Sequence, residues 1–227
     1  MKGQRMVPDN LVTSPDTSRH DERLNPVAKQ ADSVITPLAD LPRAEGGFGT
    51  VLIDPPWRYT QGLSTSAKTR GSAEKVYAVM DDDEIVALPI ASLLAPNAQV
   101  WLWATNAHLH RAFHCLDAWG LEYKTMATWV KNRMGLGYWL RGQSEHLLLG
   151  IKGWPREKMT GPHGATGLSW STLIEVDEVP LFDDPVRQHS QKPAGAYHMI
   201  EAVGMPPRLE LFARQRRDGW IAWGNEV

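Results

Sequence analysis

Residues 54–57, Asp-Pro-Pro-Trp, combine groups that together can hold an aromatic amine. Neither proline has a backbone N–H, so this stretch offers carbonyl acceptors and almost no donors. Asp54 adds an acceptor when ionised, and Trp57 supplies a flat face for stacking. A planar ring carrying an exocyclic amino group presents two hydrogens to such a set. Its nitrogen is a poor nucleophile because the lone pair is delocalised into the ring. Acceptors that hold both hydrogens favour a more pyramidal nitrogen and aim its lone pair at an electrophile. Stacking on an aromatic side chain contributes ~1–3 kcal/mol per base. The same four residues also read as a strand cap, a rigid turn and a core tryptophan, and only their context separates the two readings.

The elements around them supply that context. The run "TVLID" (50–54) is short, apolar and flanked by turns, the pattern of a strand buried on both faces. Residues 58–77 are rich in Gly, Ser and Thr and read as a long loop, a feature often functional in compact domains. Residues 81–96 read as one helix with acidic residues at its positive end and Pro96 just past its close. "AQVWLWAT" (98–105) is a second buried strand. Asn106 is placed to cap a helix over 107–119, which Gly120 stops. Strands follow over 121–131 and 145–153, separated by a Gly-rich loop, and 154–192 is irregular. A helix over 193–204 with Pro at its first turn leads into strands over 208–214 and 219–225. Strands alternating with helices predict an α/β fold with a mainly parallel sheet. In such folds ligands sit beyond the carboxyl ends of the strands, which is where Asp54–Trp57 falls.

Bulk properties narrow the function classes. The 227 residues carry Lys+Arg 24 against Asp+Glu 26, so any nucleic-acid contact must come from local patches. A single cysteine, Cys115, excludes an internal disulfide framework and suits a reducing cytoplasm. The first residues lack the apolar core of a secretory signal, and no apolar run has the ~18 residues needed to span a bilayer. Residues 1–45 are polar and broken by prolines, and are read as an arm preceding one domain over 46–227. Ten tryptophans against four phenylalanines is an unusual balance that suits base-binding surfaces as well as a core.

Asp54-Pro55-Pro56-Trp57, "LWAT", "GYWLRGQSEHLLLGIKG", "HSQKP" and "PRLELFARQRRDGWIAWGNEV" occur in an order that resembles the MT-A70 family of S-adenosylmethionine-dependent adenine N6-methyltransferases. The resemblance covers about residues 48–227. It implies a Rossmann-like class I methyltransferase fold, helices on both faces of the sheet, and a circularly permuted motif order. It implies that Asp54 and the carbonyl of Pro55 hold the N6 amine, that Pro56 keeps the turn rigid, and that Trp57 stacks on or walls the base. Lys192 would contact the methionine carboxylate of S-adenosyl-L-methionine, with Glu210, Arg214, Arg216, Asn225 and Glu226 lining its ribose and adenosine pocket. Glu145 matches a position near the substrate entrance. Tyr59, Lys131, Arg133, Trp139 and Arg141 complete the expected substrate surface. Two departures stand out. Only Asp40 can stand for the acidic residue that relatives often carry on the strand before the catalytic one, and Arg216 and Arg217 fall where relatives can carry His and Asn.

Other features carry less. In "HLHRAFHC" (108–115), His110 and His114 share one helical face while His108 pairs with Cys115 on another, and Arg111 follows His110. These half-sites make no tetrahedral set, so no metal is expected. Gly135, Gly137 and Gly142 do not match the dinucleotide fingerprint and read as loop glycines over the cleft. Basic residues at 131–133, 141, 155–158 and 214–217 could track phosphates, although a charge cluster is most often a solvated face.

The expectation is therefore an adenine N6-methyltransferase acting on nucleic acid, DNA before RNA, cytoplasmic, with no membrane association. Pairing with a second copy or a related subunit is compatible with the resemblance. The competing readings are a cytosine N4-methyltransferase using the same amine logic, a catalytically silent relative that binds nucleic acid or a partner, and, weakest, a small-molecule methyltransferase.

Overall fold

The computed structural model describes residues 40–59, 79–131, 134, 139–155, 170–174 and 192–227. All lie in a compact unit spanning Ser33–Val227. Most of the expected loop at 58–77, most of 154–192, the arm up to residue 39, Arg133, Gly135 and Gly137 fall outside the described residues.

The described strands are β1 (Phe48–Ile53), β2 (Leu94–Thr105), β3 (Glu122–Val130), β4 (Ser144–Lys152), β5 (Leu173–Ile174), β6 (Arg208–Leu211) and β7 (Trp220–Trp223). They form one sheet in the order β5-β3-β4-β2-β1-β6-β7. β1 pairs in parallel with β2 and β6, β6 with β7, and β3 with β5. β4 alone runs antiparallel to its neighbours β2 and β3. The mainly parallel α/β sheet read from the sequence is the one observed.

Every residue of β1 is buried, as a central strand covered on both faces requires. The alternation of side chains assigns each face its helices. Val51 and Ile53 of β1 and Val100 and Leu102 of β2 join one cluster with Ile85, Cys115 and Leu116. Leu52, Trp101 and Trp103 point the other way and join Tyr197, Met199 and Ile200. Thus α1 (Asp82–Val86) and α2 (Leu109–Ala118) cover one face and α3 (Ala194–Val203) the other. Leu41, within the expected arm, is buried in the first cluster.

Two local expectations differ. The segment 81–96 is not one helix: α1 stops at Val86, a 3-10 turn covers Ile90–Ser92, and β2 already begins at Leu94. Pro89 explains the break, because it has no N–H to donate and disfavours helical geometry at Leu88. Pro96 lies inside β2 at an exposed position, where the β1–β2 register shifts between Phe48 and Thr50 and a missing donor is tolerated. Asn106 does not cap α2. His108 occupies that position, and the Asn106 amide is spent on β4, accepting from His146 Nε2 at 2.6 Å and donating to Ser144 Oγ at 3.4 Å. Gly120 does end the helix, with φ +70°.

Gln99 is a fully buried amide that ties β2 to α3. Its Nε2 donates to the Val203 carbonyl at 3.0 Å and its Oε1 accepts from Trp101 Nε1 at 3.2 Å. Gln99→Leu leaves both partners buried and unpaired, at about 1–3 kcal/mol each. Thermal denaturation should show Tm lower by several degrees; an unchanged Tm would mean the amide does not hold α3 to the sheet.

Candidate active site

The parallel strands end on one edge, and β4, running the other way, begins there. Asp54 follows β1 directly, with its N–H 3.5 Å from the Leu211 carbonyl at the end of β6. Glu145 opens β4 opposite Thr105, the last residue of β2. Lys131 follows β3, and Lys131 and Gln143 exchange hydrogen bonds at 2.8 and 2.9 Å, closing the base of the segment that carries Trp139 and Arg141.

Lys192, just before α3, joins these ends. Its Nζ donates to Asp54 Oδ2 at 2.6 Å and lies 3.4 Å from Glu145 Oε2 and 5.4 Å from the centre of the Trp103 ring. Lys131 donates to the other oxygen of Glu145. The Lys192 side chain is 6% exposed, Glu145 11% and Asp54 22%. Burial opposes charge on Lys192, but Asp54 and then Glu145 outweigh it and hold its ammonium above the ordinary lysine range. Burial likewise works against ionisation of Glu145, and Lys192 and Lys131 reverse that effect, holding its carboxyl below the ordinary value of 4.5. The result is a chain of alternating charge, Asp54–Lys192–Glu145–Lys131, whose first carboxylate is the most accessible.

The Pro-Pro turn is well tied. The Pro55 carbonyl accepts the Trp57 N–H at 2.8 Å, which leaves it one lone pair. The Pro56 carbonyl accepts from Met80 N at 2.9 Å and the Met80 carbonyl from Arg58 N at 3.1 Å, so Trp57 and Met80 form a bridge. Trp57 is 5% exposed, its Nε1 donates to the Trp103 carbonyl at 3.0 Å, and one ring face stacks on His108 at 5.2 Å and 15°. Tyr59, Trp139 and Arg141 are exposed, Trp139 almost entirely at 98%.

A second cluster sits at the ends of β6 and β7. The buried Glu210 accepts from Tyr197 Oη at 2.7 Å, and the Arg217 guanidinium lies 3.8 Å from the centre of the Tyr197 ring. Burial pushes the Glu210 carboxyl above its ordinary value, and Tyr197 and Arg217 offset only part of that rise. Burial and then Glu210 push the Tyr197 phenol up. Phe212 has φ 63°, an outlier for a bulky residue, and its ring packs edge-on against Trp223 at 5.5 Å. Gly224 lies against the Ala213 backbone, where a Cβ would come within 2.3 Å of the Ala213 carbonyl oxygen. This close approach brings Glu226 to within 3.9 Å of Arg214, with Asn225 beside it and exposed.

Most of the expected residues that are described therefore share one edge. Arg216 is exposed and Arg217, its neighbour, faces Tyr197. Asp40 is exposed. The sequence reading missed Tyr197, whose helical spacing reads as core, and His108, read only as half of an unlikely metal pair. A cavity of about 290 Å³ flanks Trp57's partner on the β2 side, lined by Arg58, Tyr59, Asp81, His108 and Arg111, among others. Cys115 is buried away from this edge, and burial pushes its thiol up to about 12, which leaves it no nucleophilic role near neutral pH.

Residues 48–226 match the MT-A70 family. The chain is 32% identical over 80% of its length to an N(6)-adenosine-methyltransferase MT-A70-like protein of Arabidopsis thaliana. It is 30% identical over 80% of its length to the human N(6)-adenosine-methyltransferase catalytic subunit METTL3. It covers only 24% and 28% of those proteins, about a quarter of their length. To the type II methyltransferase M.MunI of a Mycoplasma it is 27% identical over 96% of this chain and 92% of that protein.

The charge chain makes a pH prediction. A carboxyl held below its ordinary value stabilises the fold above that value, and the contribution is lost as pH falls through the lower, folded one. Lys192→Met removes the cation that most favours the ionised Glu145, so acid unfolding, followed by tryptophan fluorescence, should begin at higher pH than in the parent protein. An identical acid transition would show that the pair does not couple to folding.

Proposed function

The chain belongs to the MT-A70 family, and on that premise we propose that it methylates the N6 amine of adenine in nucleic acid, using S-adenosylmethionine. The observation that carries the reading is a partly exposed carboxylate, Asp54, ending the central strand and backed by a buried lysine. The preference for DNA over RNA is supported by the similarity to the type II methyltransferase, which extends over 96% of this chain and 92% of that protein.

The residues present fit the cofactor. Glu210 is a buried carboxylate suited to a ribose diol, the solution dinucleotide folds use. Arg217 has a buried Nε with no hydrogen-bond partner among the described residues, beside Glu210's partner Tyr197. Lys192 has three N–H donors. Asp54 and Glu145 engage two, and among the described residues no ion pair takes the third, which would meet a methionine carboxylate. Arg214, Asn225 and Glu226 close the adenosine side. When bound, the cofactor would supply a methyl carbon on a sulfonium, to be taken by the amine nitrogen in line as the C–S bond breaks and the sulfur leaves as a neutral thioether.

Asp54 and the free lone pair of Pro55 accept the two amine hydrogens, and an amine N–H arriving at Asp54 competes with Lys192 for the carboxylate. Glu145, held ionised by Lys131 as well as by Lys192, keeps the ammonium anchored while that exchange occurs. Positive charge appears on N6 during transfer, and the adjacent Asp54 carboxylate stabilises it before the proton leaves. Trp57 walls the base. Tyr59, Trp139 and Arg141 form the polymer-facing surface; Arg133, also expected to bind substrate, lies outside the described residues. In duplex substrate the adenine must be flipped out, at a cost of a few kcal/mol.

The test is a transfer assay with methyl-labelled S-adenosylmethionine and single- and double-stranded DNA and RNA, followed by nucleoside mass spectrometry. N6-methylated adenine, most abundant on DNA, is expected. Asp54→Ala should abolish transfer with cofactor binding largely intact, whereas Lys192→Ala should weaken cofactor binding first. Absence of product on every polymer, or normal turnover by Asp54→Ala, contradicts the reading.

A further inference from the structure

His108 touches three consecutive residues of the loop that leaves Asp54. Its ring stacks on Trp57 at 5.2 Å, its Nε2 lies 3.1 Å from the Arg58 carbonyl oxygen, and its ring meets Tyr59 edge-on at 4.6 Å. Its Nδ1 lies 3.1 Å from Thr105 Oγ1, which accepts from Tyr59 Oη at 3.2 Å. These bonds have one consistent direction. A carbonyl only accepts, so Nε2 carries the hydrogen. The bare Nδ1 then accepts from the Thr105 hydroxyl, and the Thr105 oxygen accepts from Tyr59.

The backbone of His108 is itself anchored to the scaffold. The His108 N–H donates to the Thr105 carbonyl at 3.0 Å, and the His108 carbonyl accepts from Ala112 N at 2.9 Å, so the residue is fixed between β2 and α2. The residue is 6% exposed, most of it covered by these neighbours. Burial lowers its proton affinity, outweighing the Arg58 carbonyl and Asp82, which raise it; His110 lowers it further. That agrees with the neutral form the hydrogen bonds require.

We propose that His108 is a positioning residue for methyl transfer, holding Trp57, Arg58 and Tyr59 so that Asp54 and the Pro55 carbonyl meet the amine in register. The proposal rests on the assignment of that loop to adenine binding. His108 acts on the transfer step rather than on the cofactor, whose expected contacts lie at β6, β7 and Lys192. Displacement of a reacting group by about an ångström can cost on the order of a hundredfold in rate.

Two variants separate the ring from its hydrogen bonds. His108→Phe keeps a ring against Trp57 but loses the donor to Arg58 and the acceptor for Thr105. His108→Gln gives up the ring and restores an amide donor toward the Arg58 carbonyl. The expected result is a kcat roughly ten- to a hundredfold lower in His108→Phe, with cofactor KM unchanged, and substantial recovery in His108→Gln. Hydrogen–deuterium exchange supplies a readout independent of turnover: the Trp57–Tyr59 amides should exchange faster in His108→Phe and near the parent rate in His108→Gln. Thr105→Val, which removes only the hydroxyl between His108 and Tyr59, should show a smaller kcat loss of the same kind. Parent-like kcat and exchange in His108→Phe, or a loss of cofactor affinity in step with kcat, would overturn the proposal. A parent protein with no transfer activity, but with the predicted exchange pattern, would instead overturn the methyltransferase reading and with it the role in transfer, leaving only the bracing of Trp57–Tyr59 by His108.

Discussion

The site is organised around one buried cation between two carboxylates. Taking an ammonium out of water costs several kcal/mol unless it is paired and hydrogen-bonded, and Lys192 meets that condition only if Asp54 and Glu145 reach it together. This requirement constrains the fold. Asp54 stands at the carboxyl end of the central parallel strand, so Glu145 must come from a strand that starts at that edge. β4, the one described strand running against the rest, does so. Lys192 must lie at the same edge, which fixes where the chain enters α3. The ion pair with Asp54 spans 138 positions of sequence and binds the first strand to the last third of the chain.

Two buried histidines brace the same edge in parallel ways. His108 joins Thr105 to the Arg58 carbonyl, and His146 joins Thr128, at 3.2 Å from its Nδ1, to the Asn106 amide oxygen, at 2.6 Å from its Nε2. In each case Nε2 donates to a carbonyl-type oxygen and Nδ1 receives a threonine hydroxyl. Burial lowers the proton affinity of both rings, as that pattern requires. Neutral imidazoles thus lock the loop after β1 and the turn after β2 to their neighbours, and they do so without adding charge beside the Lys192 cluster.

Much of this was legible in the sequence because its signals are local. Short apolar runs marked the strands, and Asp-Pro-Pro-Trp after one of them marked both the site and the end of the sheet that carries it. What stayed hidden depends on contacts between distant residues. Nothing near Lys192 shows that it meets Asp54, and nothing near Asn106 shows that its amide serves β4 rather than α2. Tyr197 sits at an ordinary core position of α3 and differs from one only by the carboxylate its hydroxyl finds on β6. That Arg217 rather than Arg216 faces Tyr197 is set by the turn between β6 and β7, whose direction two adjacent arginines do not record. The broken helix at 81–96 was legible after all, since Pro89 carries the reason in its own chemistry.

The most direct test of this account is the accessibility of Lys192 to an amine-reactive reagent. Native protein would be labelled under mildly alkaline conditions, and modification at each lysine followed by mass spectrometry. The account predicts that Lys192 labels far more slowly than the exposed Lys124, and that the double variant Asp54→Asn, Glu145→Gln removes the protection. Labelling of Lys192 in the parent protein as fast as at Lys124 would contradict the buried ion cluster on which the site is built.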